Sequence, residues 1–522
     1  MTDTLFHNGP IRTISSQNPA EALLTRNGKI FAVGKRSDLE GLTNSSTKKI
    51  NLEGRALLPG FNDAHIHVWK VGHLRTTMLD LRGLTNLEDV YKAVAARAKT
   101  LESGEWLLGR GWNEAILEGG GPTKAGLDRA APQNPVVLTR TCAHIHAANS
   151  SAFDHANISP ETQAPAGGQI EFERGWLFET AHGLMLRVIP AFTVADYEKF
   201  IRAGLEYLLS FGITSCTDPA VDPGLLEAYR NLEARGELPI RVNLLFIRRP
   251  DGGSQTYPLP EKFVSDFLRC DSVKFFGDGG LSGATAAVSV AYQNLEPGSP
   301  AHGVLRFETE ELFELALEAH TAGFRIGTHA IGDVALDQIL EVYQRLAAIH
   351  PNNTRHRIEH FGLPGKNHLE LAKKLDVIVV PQPIFLHELR GNFLRYLPEE
   401  FVSRCYNLRS MFNAGLTVAF SSDGPVVAQV DPLENIKAAM LEPLSQNAEV
   451  TLEESLRAWT LNGAIAQGDE TNRGTLEAGK HADLIVMTDP YSTAIDDWKL
   501  ERTFVAAQEE NRREKMKEKR SK

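Results

Sequence analysis

Two apolar spacings alternate along this chain, and their order predicts its architecture. Residues 1–57 carry short apolar runs with no helical period. Runs at 22–25 and 29–33 flank Asn27-Gly28, a pair that tolerates positive φ and so predicts a tight hairpin. Similar short runs return at 474–487. From residue 58 onward the pattern becomes an apolar run, a stretch of 3.6-residue period, then another run. Eight such runs are found, at 58–68, 212–217, 241–247, 272–276, 324–329, 356–360, 376–380 and 416–422. Amphipathic stretches at 194–209, 223–235 and 308–322 fall between them. Continuous apolar runs alternating with helices predict parallel strands covered on both faces, and eight of them predict a (β/α)8 barrel. An open doubly wound sheet uses the same elements and is the alternative.

One interval breaks the rhythm. About 120 residues separate His67 from the helix that precedes the second run, far more than a crossover requires. Within it, 87–101 is helix-like, while 105–112 and 135–139 are strand-like. The resulting expectation is an α/β chain with four parts. Residues 1–57 and 465–505 form a small β-sandwich from both chain ends, and 58–69 with 191–464 form the barrel. Residues 70–190 form an inserted α+β subdomain acting as a lid or substrate wall, and 506–522 form a charged tail.

Composition narrows the function. The chain has 522 residues, 42% hydrophobic and 23% charged, which is ordinary for a soluble globular protein. A net charge of −11 argues against nucleic acid as a partner. The basic run at 512–522 contains glutamates and reads as a solvated tail. Cys142, Cys216, Cys270 and Cys405 are widely spaced, as expected for reduced thiols. No stretch is long enough to span a bilayer and no signal pattern opens the chain, so a cytoplasmic protein without membrane contact is expected.

The chemistry concentrates at strand ends, where barrels of this kind carry their active sites. The first run ends in His65-Ile-His67, and residues two apart on a strand share a face. Neutral imidazole is a good ligand for zinc and similar ions. The fourth run holds Lys274, the fifth ends in His329, the sixth ends in His360, and Asp423 follows the eighth. Five of eight strands therefore place a candidate ligand at the same end. Glu359, next to His360 on a strand, is expected to face away from it and serve a supporting or core role. Other signals fail. His387-Glu-Leu-Arg-Gly391 lacks the second histidine of a zinc helix, and Gly277-Asp-Gly-Gly-Leu-Ser-Gly283 lacks the lysine of a phosphate loop.

Together, Pro59-Gly-Phe-Asn-Asp-Ala-His65-Ile-His67, Thr328-His-Ala-Ile-Gly-Asp333, Arg357-Ile-Glu-His360 and Ser421-Ser-Asp-Gly-Pro-Val426 resemble the amidohydrolase superfamily. Within it they resemble amidohydrolase family 3, the group of N-substituted formamide deformylases. The resemblance extends to His144-Ile-His-Ala-Ala-Asn-Ser150 and to the terminal 474–486 segment. It implies that His65, His67, His329, His360 and Asp423 bind one or two divalent ions, zinc above all, with Asp423 also the general base for a metal-bound hydroxide. It implies a carbamate on Lys274 (N6-carboxylysine) bridging two ions, for which a desolvated, neutral amine is required. The structural alternative is a Lys274 ion pair with an acid such as Asp278. The resemblance implies a substrate contact for His144, with a packed structural histidine the alternative, and Trp112 is a candidate pocket wall or core anchor.

The expected activity is hydrolysis of a non-peptide C–N bond in a small-molecule amide. An esterase, lactonase or cyclic-imide hydrolase would use the same site, and a non-catalytic regulatory relative is the distant alternative. Sibling enzymes imply a homodimer.

Overall fold

Eight parallel strands follow one another in the order the apolar runs predict: Phe61–Asp63, Ile213–Val221, Arg241–Ile247, Leu268–Phe276, Arg325–Ala330, Arg357–His360, Ile378–Val380 and Thr417–Val418. We refer to them as barrel strands one to eight. They belong to a computed structural model that describes residues 3–15, 20–114, 116–141, 145–165, 168–179, 181–251, 253, 255–295, 300–349, 354–445 and 448–509. Helices Pro223–Ala234, Thr309–Thr321, Asp333–Ile349 and Lys366–Lys374 lie between strands. Pro223 opens the first of these, and the Asp222 side chain caps it at the Leu225 N–H. The strands are buried along nearly their whole length, which is why their sequences run apolar without alternation.

Strands one and eight are shorter than their apolar runs, and the reason bears on the site. Residues 64–67 and 419–424 leave the regular ladder and bond to each other instead. Ala64 N–H donates to Phe420 O (3.2 Å), Asp423 N–H to His65 O (2.9 Å), and His67 N–H to Gly424 O (3.0 Å). These bonds join the two ends of the sheet, so the eight strands fit a (β/α)8 barrel. The His-x-His pair therefore sits just past strand one, beside the residues just past strand eight.

The chain ends pair with each other. Thr4–Ile11, Ala20–Arg26, Lys29–Gly34, Lys48–Asn51 and Ala56–Pro59 share a sheet with Leu484–Met487, Leu500–Val505 and Gln508–Glu509. Leu484–Met487 lies antiparallel to Ala56–Pro59. The strands expected to form a sandwich are thus hydrogen-bonded into one continuous eight-stranded sheet. Phe6, Leu23, Leu57, Val486 and Phe504 share its core, with Phe6 and Phe504 meeting edge to face at 5.2 Å. At the predicted hairpin, Asn27 and Gly28 have φ of 51° and 77°, and Arg26 pairs with Lys29. Of the charged tail, residues 510–522 lie outside the described residues.

By compactness the chain divides into Met1–Val68 with Leu205–Lys522, and Trp69–Gly204. The second unit has its own six-stranded sheet. Leu79–Asp80, Leu107–Trp112 and Val136–Arg140 run parallel; Ile145–Ala148, Trp176–Glu179 and Gly168–Glu171 continue it antiparallel. Helix Leu87–Ala98 packs Val90 and Val94 into the same core as Trp112 and Leu138. Among the described residues, no helix is long and apolar enough to cross a membrane.

At the start of barrel strands five and six, a buried histidine pair ties backbone to helix. His356 Nδ1 accepts from Ile326 N–H (3.2 Å), so its Nε2–H donates to His320 Nδ1 (2.9 Å). Burial, with His320 and Arg325 adding to it, lowers the His356 pKa to about 3. In the unfolded chain this imidazole takes a proton near pH 6.5, whereas the folded chain resists until about 3. The contribution is fully present above pH 6.5 and is lost as pH falls through that window. Urea melts across the range should show a steeper acid decline for the wild type than for His356→Gln; parallel curves would refute the assignment.

Candidate metal centre

The two histidines past strand one turn their Nε2 atoms toward one carboxylate oxygen. His65 Nε2 and His67 Nε2 each lie 3.5 Å from Asp423 Oδ1. Among the described residues, these three form the one group of three or more His, Cys, Asp or Glu side chains whose ligand atoms all lie within 4.8 Å of one another. His360 and His329 stand next to them. The His65 and His360 ring centroids are 5.0 Å apart, and those of His360 and His329 are 4.4 Å apart. The five come from four strand ends of one barrel.

Backbone strain marks two of these positions. His360 and Asp423 adopt φ of 73° and 55°, left-handed values that non-glycine residues rarely take. At His360 the turn breaks strand alternation. Glu359 and His360 therefore both serve the site, although neighbours on a regular strand face opposite ways.

The rings are held in defined tautomers. Glu359 Oε2 accepts from His65 Nδ1–H at 2.5 Å, which leaves the Nε2 lone pair directed at the Asp423 side. Gln382 Oε1 accepts from His360 Nδ1–H (2.7 Å), and Gln382 is itself fixed through Val380 O and Ser421 Oγ. His329 donates Nε2–H to Gly279 O (2.9 Å), leaving Nδ1 as its lone pair. Burial lowers the His65 pKa to about 4, with the Lys274 charge pushing the same way. Burial and the neighbouring His329 and His65 push His360 well below its ordinary value. At neutral pH these two rings are neutral, as metal ligation requires.

Lys274 is 1% exposed on strand four, and its Nζ has no hydrogen-bond partner among the described residues. It lies 5.1 Å from the Phe276 ring centroid. Burial lowers its pKa to about 8, although Glu359 and Asp423 oppose the shift. The suggested partner Asp278 is engaged elsewhere. Its carboxylate accepts N–H bonds from Ile331 (3.0 Å), Gly332 (2.8 Å) and Ala287 (2.9 Å), stapling the glycine-rich loop to the loop after strand five.

Two candidates remain. Trp112 is fully buried, packs 4.9 Å from Trp176, and donates its indole N–H to Leu138 O (2.8 Å). Of its two readings, core anchor fits this placement, because a fully buried ring lines no open pocket. His144 lies outside the described residues.

Sequence reasoning missed three supports. Asp63 accepts the His65 N–H (3.1 Å) and the Ser422 N–H and hydroxyl (3.1 and 2.6 Å), clasping the loops after strands one and eight. Burial raises its pKa to about 7 against the pull of these bonds. The period of two that joins His65 to His67 also reaches Asp63, so the signal was there. Gln382 follows strand seven, where the same strand-end rule applies. Arg357, which forks onto Glu359 (2.5 and 2.9 Å), was read only as part of the sixth apolar run and of the Arg357-Ile-Glu-His360 motif.

A (β/α)8-type barrel with histidines and an aspartate gathered past its strand ends defines a class of metal-dependent hydrolases. The chain belongs to the amidohydrolase family, whose model matches residues 48–512. It is 28% identical to an N-substituted formamide deformylase of Arthrobacter pascens over 523 residues, covering 95% of each chain. It is also 28% identical to the protein LONG AFTER FAR-RED 3 of Arabidopsis thaliana, over 94% of this chain and 87% of that one. Among solved structures, an uncharacterized metal-dependent hydrolase of Pyrococcus horikoshii OT3 aligns with a TM-score of 0.80 and 26% identity, covering 95% and 99% of the two chains.

Proposed function

We propose that this protein is a metal-dependent hydrolase that cleaves a non-peptide C–N bond of a small amide. One observation carries the reading: His65 and His67 converge on Asp423 Oδ1 in a member of the amidohydrolase family. The donor set suits a divalent ion. It is buried, its His65 and His360 rings are neutral, and its tautomers are set by acceptors outside the cluster. His65, His67, His329, His360 and Asp423 would hold the ion or ions, zinc being the expected metal, with Lys274 as a further ligand. When bound, a divalent ion acidifies water to a pKa of about 7 and polarises the substrate carbonyl.

The chain's own part follows from its geometry. Asp423 takes the proton of the attacking water and passes it to the departing nitrogen, so the amine leaves neutral. Glu359 and Gln382 keep the His65 and His360 lone pairs aimed inward during that transfer. Lys274, whose lowered pKa of about 8 raises its neutral fraction, would add carbon dioxide to Nζ in its neutral form with release of a proton, converting the amine into an anionic ligand. The 70–190 region is proposed to govern substrate choice, with a small molecule as the partner.

Metal analysis of protein purified without supplementation, paired with amides and esters, tests the reading. About half an equivalent or more of zinc, iron or manganese is expected, with amide hydrolysis lost on chelation and restored by metal. Less metal without rescue would sink it, and turnover of esters alone would replace the amide assignment. For Lys274, the Ala variant should lose activity and regain part of it with a small carboxylate such as acetate. Unimpaired activity would remove Lys274 from the site.

A further inference from the structure

Strand six carries an ion pair of which the proposed chemistry uses only Glu359. Arg357 and Glu359, two apart on the strand, are both fully buried. The guanidinium forks onto the carboxylate, Nε to Oε1 at 2.5 Å and Nη2 to Oε2 at 2.9 Å. The same Nη2 donates to Ala64 O (2.5 Å), and Nη1 donates to Ala466 O (3.3 Å). Oε2, the oxygen that takes Nη2, also accepts the His65 Nδ1–H. Arg357 thus touches both the group that holds the His65 ring and the carbonyl one residue before it.

We propose that Arg357 is a positioning residue that, through Glu359, fixes the Nδ1–H tautomer of His65 and the backbone that carries it. The proposal rests on the reading of His65 as a metal ligand. A neutral imidazole has two tautomers, and only the one with hydrogen on Nδ1 leaves the Nε2 lone pair facing Asp423. A carboxylate facing His65 only accepts, so Glu359 in this orientation enforces this tautomer; a rotated one would not. The two parallel bonds of the arginine fork forbid that rotation. A salt bridge serving stability alone would not explain the bond onto His65. Nor would it explain the left-handed His360, which brings its neighbour Glu359 onto the same site.

Glu359→Gln is the test. One oxygen becomes an NH2, so the side chain can no longer accept both from Arg357 Nε, now on Oε1, and from His65, now on Oε2. In metal-stripped protein labelled with 15N-imidazole histidine, the His65 signal, assigned by its loss in His65→Gln, should report Nδ1–H. Glu359→Gln should shift it toward Nε2–H and weaken zinc binding about 10- to 100-fold, read by competition with a chelating dye. Arg357→Lys keeps the charge but loses the fork, so a mixed tautomer and an intermediate zinc affinity are expected. If Glu359→Gln fails to fold, Arg357→Lys decides on the same two readouts. An unchanged tautomer in the folded variants overturns the proposal. Because the tautomer is read without metal, a wild type that never binds zinc would refute the metal reading while the relay is still judged.

Discussion

Asp423→Asn is expected to lower kcat by about 10^3-fold while leaving the thermal melt within a few degrees of the wild type. The amide nearly matches the carboxylate in shape, so the loop after strand eight should keep its main-chain bonds to His65 and His67. What disappears is the proton acceptor 3.5 Å from both histidine Nε2 atoms. An amide NH2 offered to that cluster also presents a donor where a lone pair is needed. The check is steady-state kinetics beside calorimetry. A variant with wild-type turnover would remove Asp423 as the base, and a variant that melts early would make the loss a folding effect.

The largest stability loss is expected away from the site. Arg241, at the start of barrel strand three, is 2% exposed and pairs bidentately with Asp483, Nε to Oδ2 at 2.7 Å and Nη2 to Oδ1 at 3.1 Å. Asp483 also accepts the Ala506 N–H (2.9 Å), so this carboxylate ties barrel to terminal sheet. Burial alone would raise its pKa, but the Arg241 guanidinium outweighs that and holds it below the usual carboxylate range. Asp483→Ala strands a buried guanidinium and should cost about 3–5 kcal/mol, measured by urea denaturation at pH 7. Because the folded pKa is depressed, the contribution is present above the ordinary carboxylate range and fades as pH falls through the folded value. The difference between wild type and variant should therefore shrink in acid. A loss below about 1 kcal/mol would show that the pair is screened like a surface one.

Much of this was legible before any coordinates, for reasons specific to each residue. Parallel strands buried on two faces must read as unbroken apolar runs, so six of the eight barrel strands begin within two residues of their predicted starts. The first run begins three residues early because Ala56–Pro59 belongs to the terminal sheet, and only Phe61–Asp63 to the barrel. His329 and His360 could be picked because the strand-end rule converts position in a run into position in space. Trp112 could not be resolved, since an aromatic in a strand reads alike whether it lines a pocket or fills a core. Glu359 was judged by strand alternation, which holds until the backbone of His360 turns left-handed. No local pattern announces that turn, because it is stabilised by contacts from other strands.

The sequence by itself determined the order of elements, the candidate donor residues and the end of the barrel where they gather, since each depends on residue type and local period. The tertiary structure alone decided which lone pairs face inward. That choice belongs to partners far away in the chain, with Glu359 acting on His65, Gln382 on His360 and Gly279 on His329. It also decided that Lys274 stands without a hydrogen-bond partner among the described residues, and that Asp63 clasps the loops bearing the His-x-His pair and Asp423. A tautomer or an unmet amine is set by the atoms that surround it, and folding brings those atoms from opposite ends of the sequence.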